Sequence, residues 1–412
     1  MGKILSKILS SENERMSFII VTIFLNFLGF SIIIPILPFL VGKFVHTEDA
    51  IALNVGFIMS AYALCQFIAA PGLGALADRY GRRPILLISL AGSIVGYLVM
   101  AAIGALWALF AGRIIDGLTG GNISTVYAYV ADITEPKDRG KYYGLLGAAG
   151  GFGFMVGPAI GGFAAHFSLV APLYLAAFIT LLNVIWGYFI LPESLHNDHR
   201  TLSVNVRHLN PFSQFGHVFQ IPALKRIFAI IFIFFLGLMM MQSITGIFFK
   251  DVLRWQPEEI GLALFYVGVM DIISQGFIVR KLLKRFTDVK VSEFGLMLAF
   301  IGFLIYMLMA VFPSVPILII GITILIMGDG LFEPSSASLV SNSVDRTMQG
   351  RVQGASQGTQ SLTRMIGPLI AGLLYAVWRG LPYATGAVFM IIALFVIIAS
   401  RSIIHEHKKS FN

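Results

Sequence analysis

Residues 140–165 read GKYYGLLGAAGGFGFMVGPAIGGFAA, and from Gly144 onward no side chain in the stretch is charged. A run of this length crosses roughly 30 Å of hydrocarbon as a helix. Its small residues flatten one helix face, while Pro158 frees a backbone carbonyl and favours a bend. Residues 350–375, GRVQGASQGTQSLTRMIGPLIAGLLY, repeat the pattern. Gly140-Lys141 falls on Gly350-Arg351, Gly144 on Gly354, Gly157-Pro158 on Gly367-Pro368 and Gly162 on Gly372, each pair 210 positions apart. A membrane helix repeated at a fixed offset predicts a chain built of two related halves.

The composition agrees with a bilayer as the apolar solvent. Of 412 residues, 57% are hydrophobic and only 12% are charged, against roughly 25% charged in a soluble domain. A soluble fold would have too little polar surface to cover its core. Runs of about 20 apolar residues place spans at approximately 17–42, 53–77, 84–105, 106–132, 140–165, 170–191, 224–249, 258–281, 292–312, 314–341, 351–377 and 381–401. The predicted fold is therefore all-α and integral to the membrane, with twelve transmembrane helices in two pseudo-symmetric six-helix bundles. The bundles occupy 1–191 and 224–412, and the polar interval 192–223 joins them as a cytoplasmic linker with room for a short surface helix.

Charge sets the orientation. Of the 29 Lys and Arg residues, only Lys43, Lys250, Arg254 and Arg379 fall on the outer side if both termini are cytoplasmic, and Arg113 and Arg364 lie within spans. The reverse orientation would violate the positive-inside rule. The formal net charge of +8 thus reports topology and gives no support for a nucleic-acid partner. The apolar run beginning at Phe18 is read as a retained first span, with no removed signal peptide. Cys65 is the single cysteine, so no internal disulfide is possible.

Several polar residues stand where lipid would be expected. In the fourth span, Arg113 and Asp116 are three apart, share a helix face and could pair. Alternatively, Arg113 could reach toward the headgroups. Asp271 lies near the middle of the eighth span, and Asp329 and Glu333 lie four apart in the tenth, on one face. Such a pair suits uptake and release of a proton, since charge in hydrocarbon is costly without a partner or a cavity. Arg364 in the eleventh span could counterbalance these acids, bind an anionic group of the solute or form an inert structural pair.

Asn26, Gln66, Asn122 and Gln242 are neutral polar positions near mid-membrane. Tyr62, Tyr127 and Tyr266 add rings and hydroxyls, and Gln357 and Gln360 precede Arg364 by a turn or two. The mixture suits an amphipathic organic solute. The run from Met239 to Met241 and the 35 phenylalanines serve either a forgiving apolar pocket or simple lipid-facing surface. No metal-ligand spacing, cofactor motif or enzymatic nucleophile motif occurs, so the chain is not expected to be an enzyme.

The turn between spans 2 and 3 carries Gly74, Asp78, Arg79, Gly81, Arg82 and Arg83. It is either a solvated basic turn or a gating element. In its order of Gly, Asp, Gly and paired basic residues it resembles the major facilitator superfamily, whose corresponding loop latches the two halves on the cytoplasmic side. The segment from Gln275-Gly276 to Phe286 is the matching loop between spans 8 and 9, without the Asp and final Gly.

Gly153-x-x-x-Gly157-Pro158-x-x-Gly161-Gly162 resembles the signature of the drug/proton antiporters, where this helix lies at the interface between halves. Its residues alone allow tight static packing as well. Arg113 followed by spaced glycines resembles the proton-coupling position of the same group. Ile34-Pro35-Ile36-Leu37-Pro38, Val130-Ala131-Asp132-Ile133-Thr134 and Asp138-Arg139-Gly140 tighten the resemblance to the tetracycline-efflux branch. That branch has an aspartate where this chain has Asn26 and a histidine where it has Asp271, and the acidic residue of its ninth helix has no buried counterpart here.

The resemblance implies a proton-coupled antiporter in the bacterial inner membrane, exporting an amphipathic organic compound or drug by alternating access. Protons, the organic solute and membrane lipids are the expected partners, with a monomeric chain. Proton symport or facilitated uptake of a small metabolite, a lipid flippase and a non-transporting membrane receptor remain alternatives.

Overall fold

The computed structural model describes residues 12–135, 138–195, 222–344 and 348–402. Most of the expected linker and its surface helix, at 196–221, lies outside the described residues, as do Lys3 and Lys7. The described residues form helices α1 (Glu12–Ser31), α2 (Leu37–Gly42), α3 (Glu48–Tyr80), α4 (Arg82–Ala102), α5 (Leu106–Thr119), α6 (Ile123–Ile133), α7 (Arg139–Ala165) and α8 (Ala171–Ile190). They continue with α9 (Pro222–Leu253), α10 (Pro257–Ile273), α11 (Val279–Leu283), α12 (Asp288–Met309), α13 (Val315–Ser341), α14 (Gln349–Val377) and α15 (Leu381–Ala399).

Proline marks where these helices start and bend. Pro172, Pro316 and Pro382 sit in the first turns of α8, α13 and α15, where the missing N–H has no intrahelical partner to lose. Pro71, Pro158, Pro334 and Pro368 lie inside α3, α7, α13 and α14, where neighbouring helices must satisfy the freed carbonyls. Pro35 falls in the turns between α1 and α2, so the expected first span is interrupted.

Ten described helices, some joined end to end, are long and apolar enough to cross a membrane. The two other expected spans are helical but differ in kind. The fourth is broken by a 3-10 turn at Gly120–Asn122, leaving α5 and α6 each too short alone. The eleventh is one helix, α14, and its glutamines, Thr359, Thr363 and Arg364 dilute its apolar character.

The chain divides into two compact units. One comprises Met1–Phe44, Ala61–Pro211 and Gln256–Phe265, the other Val45–Ser60, Phe212–Trp255 and Tyr266–Asn412. The first turns of α3 therefore cluster with the second unit, and those of α10 with the first. In the first unit α1 packs on α7 and α8, and α4 packs on α5 and α8. In the second, α9 packs on α14 and α15, and α12 packs on α13 and α15. The pairing is the same in both, as the repeat in the sequence predicts.

Each unit has its own apolar core. Phe18 meets Trp186 edge-on with ring centroids 5.3 Å apart, among buried Ile19, Ile23, Val126 and Leu146. In the second unit Phe248, Tyr306 and Tyr383 form an aromatic cluster, and Phe234 stacks on Phe332 with centroids 4.0 Å apart. Large apolar side chains such as Phe163, Phe189, Phe277 and Phe395 remain exposed, as a bilayer-facing surface requires.

Candidate functional site

The first unit gathers a polar set around α5. Arg113 is 0% exposed and Asp116 3%, so the headgroup-seeking reading of Arg113 is wrong: its guanidinium is enclosed by protein. Its Nη1 stands 3.5 Å from Asp116 Oδ2, and it lies over the rings of Tyr62 at 5.0 Å and Phe30 at 5.5 Å. A buried cation is held here by one carboxylate and two π faces. Glycines make the approach possible. A Cβ at Gly117 would stand 2.6 Å from the carbonyl oxygen of Tyr62, and one at Gly96 2.7 Å from that of Gly112.

The 3-10 turn extends this set. Gln66 Nε2 donates to the Tyr62 hydroxyl at 3.2 Å and to the Gly120 carbonyl at 3.0 Å, while Asn26 Nδ2 donates to Asn122 Oδ1 at 3.2 Å. The break in the fourth span thus exposes a backbone carbonyl that a side-chain amide satisfies. Arg113, Asp116, Tyr62, Gln66, Asn26 and Asn122 are brought together along α1, α3, α5 and the 3-10 turn that follows it. Tyr127 is placed elsewhere, edge-on to Tyr143 with centroids 5.1 Å apart and against the apolar core.

The second unit holds the other acids. Asp271, Asp329 and Glu333 are all half-buried, on α10 and α13. Between them lies Gln275, whose Nε2 donates to Asp271 Oδ1 at 2.8 Å and reaches Glu333 Oε2 at 3.5 Å. Asp329 Oδ1 is buried without a hydrogen-bond partner among the described residues. Arg364 interacts electrostatically with Glu333, so the set combines three carboxylates with one nearby cation.

Gln357 and Arg364 are exposed on α14 and Gln360 is half-buried. A polar stripe on a membrane helix faces water more readily than lipid. The Tyr266 hydroxyl shares a 2.9 Å hydrogen bond with Thr323, and Gln242 is half-buried on α9.

Gln275 was missed in the sequence because it was assigned to a loop. The stretch from Ser274 to Ile278 is instead a wide π turn within a continuous helical path to Leu283. Ser274 fixes this turn: its hydroxyl donates to the Met327 carbonyl at 3.3 Å, and its side chain fills the space over Gly330. The available signal was the four-residue spacing from Asp271, which puts Gln275 on the same face.

The glycines of α7 have two jobs. A Cβ at Gly153, Gly157 or Gly161 would collide with the backbone carbonyl of Phe24, Leu28 or Ile32 respectively, so this face seats against α1 and the residue after it. Gly162 packs on the backbone of Pro257 and Glu258, and the Pro158 carbonyl packs on Gly261, at the start of α10.

The expected loop between spans 2 and 3 is also corrected. Gly74, Asp78 and Arg79 are helical in α3, and the chain turns at Gly81, whose φ of 106° is open to glycine but strained for other residues. Arg82 pairs with Asp78 at 2.6 Å and with Asp132 at 3.4 Å. Glu193 accepts from the Arg82 and Arg83 backbone N–H groups at 2.8 and 3.3 Å, capping α4, and Arg83 Nη2 donates to the Tyr188 carbonyl at 2.6 Å. All these partners belong to the first unit.

In the second unit Arg401 grips both carboxylate oxygens of Glu293, which raises the affinity of its guanidinium for its proton above the ordinary value.

A sequence model of the Major Facilitator Superfamily matches residues 19–362 and 292–410. The chain is similar to the class C tetracycline resistance protein of Escherichia coli, with 35% identity over 387 residues covering 93% of this chain and 96% of that one. It is also similar to Multidrug resistance protein 2 of Bacillus subtilis (strain 168), with 27% identity covering 93% and 95% of the two chains. Among solved structures, the human organic anion transporter MFSD10 (TETRAN) matches with a TM-score of 0.69 at 23% identity, over 93% of this chain and 98% of that one, a likeness of fold alone. With the same helix pairing in both units and a family match across most of its length, this integral membrane protein belongs to the Major Facilitator Superfamily of transporters.

Proposed function

We propose that the protein exports an amphipathic organic compound, of the kind named for its tetracycline- and multidrug-resistance relatives, in exchange for protons. The observation that carries this reading is the set of Asp271, Gln275, Asp329 and Glu333 within helices α10 to α13, beside Arg364. Uncompensated carboxylate charge inside a bilayer is costly, and neighbouring carboxylates titrate as a set. Moving one proton on or off such a set changes the energy of whichever arrangement buries it, and so biases an alternating-access equilibrium.

The polar set around Arg113 and Asp116 serves the same cycle. Its amides and aromatic rings offer an amphipathic solute both hydrogen bonds and apolar contact. In this reading the chain sits in the bacterial inner membrane with both termini in the cytoplasm, works as a monomer and keeps the two six-helix halves read from its sequence.

The test uses inverted membrane vesicles with an imposed acid-inside gradient and tetracycline and ethidium as probes. Uptake should collapse on adding a protonophore. Asp329→Asn and Glu333→Gln should each lose it by about tenfold or more, the scale of a lost proton-transfer group, while remaining folded. Gradient-driven uptake at the native rate in both variants would overturn the reading.

A further inference from the structure

We propose that Gln275 is a positioning residue of the acidic set, holding Asp271 and Glu333 in one hydrogen-bonded unit so that the two titrate together. This rests on the reading of the set as the proton-handling site.

One amide nitrogen lies 2.8 Å from an Asp271 oxygen and 3.5 Å from a Glu333 oxygen. Its two N–H bonds can serve two ionised carboxylates at once. When either acid takes up a proton, its O–H becomes a donor, and the carbonyl end of the same amide can accept it after the amide turns over. A side chain with only donors or only acceptors could not serve both states.

The backbone supports this placement. Gln275 is the second residue of the π turn at Ser274–Ile278, and such turns re-aim side chains within a helix. The turn is pinned to α13 by the Ser274 hydroxyl on Met327 and by Ser274 packing over Gly330. Gln275 is thereby fixed toward the helix that carries Glu333 and Asp329. The ionisable groups facing the set are Asp271 on α10, Asp329 and Glu333 on α13, and Arg364 on α14.

The test reads protonation directly. Dicyclohexylcarbodiimide, which modifies protonated carboxyl groups, is applied to the purified full chain between pH 5 and 9, and the modified peptides are assigned by mass. In Gln275→Met, labelling of Asp271 and Glu333 should persist about one pH unit higher than in the native chain, a tenfold change in proton occupancy, because a donor to the ionised forms is lost. Gln275→Ala, which also lacks the donor, should do the same and guards against a folding defect in one variant.

Native labelling midpoints for both acids in both folded variants would overturn the inference. The reading of the set itself fails separately, if Asp329→Asn and Glu333→Gln transport normally.

Discussion

Gly56 lies against the carbonyl oxygen of Pro368, so closely that a Cβ on it would stand 2.5 Å from that oxygen. The same relationship recurs between Gly261 and Pro158, and in both cases the glycine four residues beyond the proline, Gly372 or Gly162, completes the contact. Pro158 and Pro368 are the pair that first revealed the internal repeat. Flanking each contact is a polar pair: Arg379 Nη2 with Glu48 Oε2 at 3.3 Å, and His166 Nδ1 with Glu258 Oε1 at 3.0 Å. Glu48 and Glu258 are themselves 210 positions apart.

Gly56→Ala and Gly261→Ala should each destabilise the protein by about 1–3 kcal/mol, the usual cost of forcing a methyl group into a packed contact. Gly151→Ala is the control. Nothing stands within 4 Å of its Cβ position, so it should be neutral or stabilising by roughly 0.5–1 kcal/mol through helix propensity. Thermal unfolding in detergent separates the two outcomes, and equal losses at all three positions would contradict the packing described.

Arg113 and Asp116 should show strong coupling. Removing one member of a buried pair costs about 3–5 kcal/mol because the other charge is left uncompensated. Arg113→Met and Asp116→Leu should each lower the melting temperature markedly, and the double variant should lose less than the sum of the two. Additive losses in this cycle would mean that the 3.5 Å pair contributes no interaction of its own.

Glu193→Gln should cost about 1 kcal/mol, the scale of a lost charged helix cap, since Glu193 accepts from both backbone N–H groups at the start of α4. Arg82→Ala should cost more. It leaves Asp132, already engaged by the Ser194 hydroxyl at 2.9 Å, without its cation. Chemical denaturation of the two variants side by side gives the ranking, and a more damaging Glu193→Gln would reverse it.

Asn26→Asp tests the position where the relatives' resemblance and this chain part. Asn122 can turn its amide to donate to the new carboxylate, so folding should survive. Export of cationic probes should improve relative to neutral ones by about threefold to tenfold, as one added charge near an amphipathic site allows. Unchanged relative rates for the two probe classes would remove Asn26 from the solute path.

The acidic set shows where reading by sequence stops. Asp271, Asp329 and Glu333 stood out because a carboxylate in an apolar run is rarely accidental, and the four-residue spacing put two of them on one face. Gln275 did not, because polar side chains near a span end look like the beginning of a loop. Only the π turn, held by Ser274 against Gly330, shows that the helix continues and aims the amide at two acids. Similarly, Arg113 near the outer end of the fourth span admits two fates on paper, and burial among Phe30, Tyr62 and Asp116 chooses between them.

The amino-acid sequence alone determined that this chain lives in a bilayer, that it consists of two related halves, and which helix in each half carries the glycine-proline pattern. Those properties follow from local quantities: the length of an apolar run, the spacing of small residues and a constant offset. Which carbonyl each glycine meets, and which acids share an amide, was decided only by tertiary structure. Apart from the four-residue step from Asp271 to Gln275, such contacts join residues tens to hundreds of positions apart, and helix periodicity gives a face but not the neighbour that will lie against it.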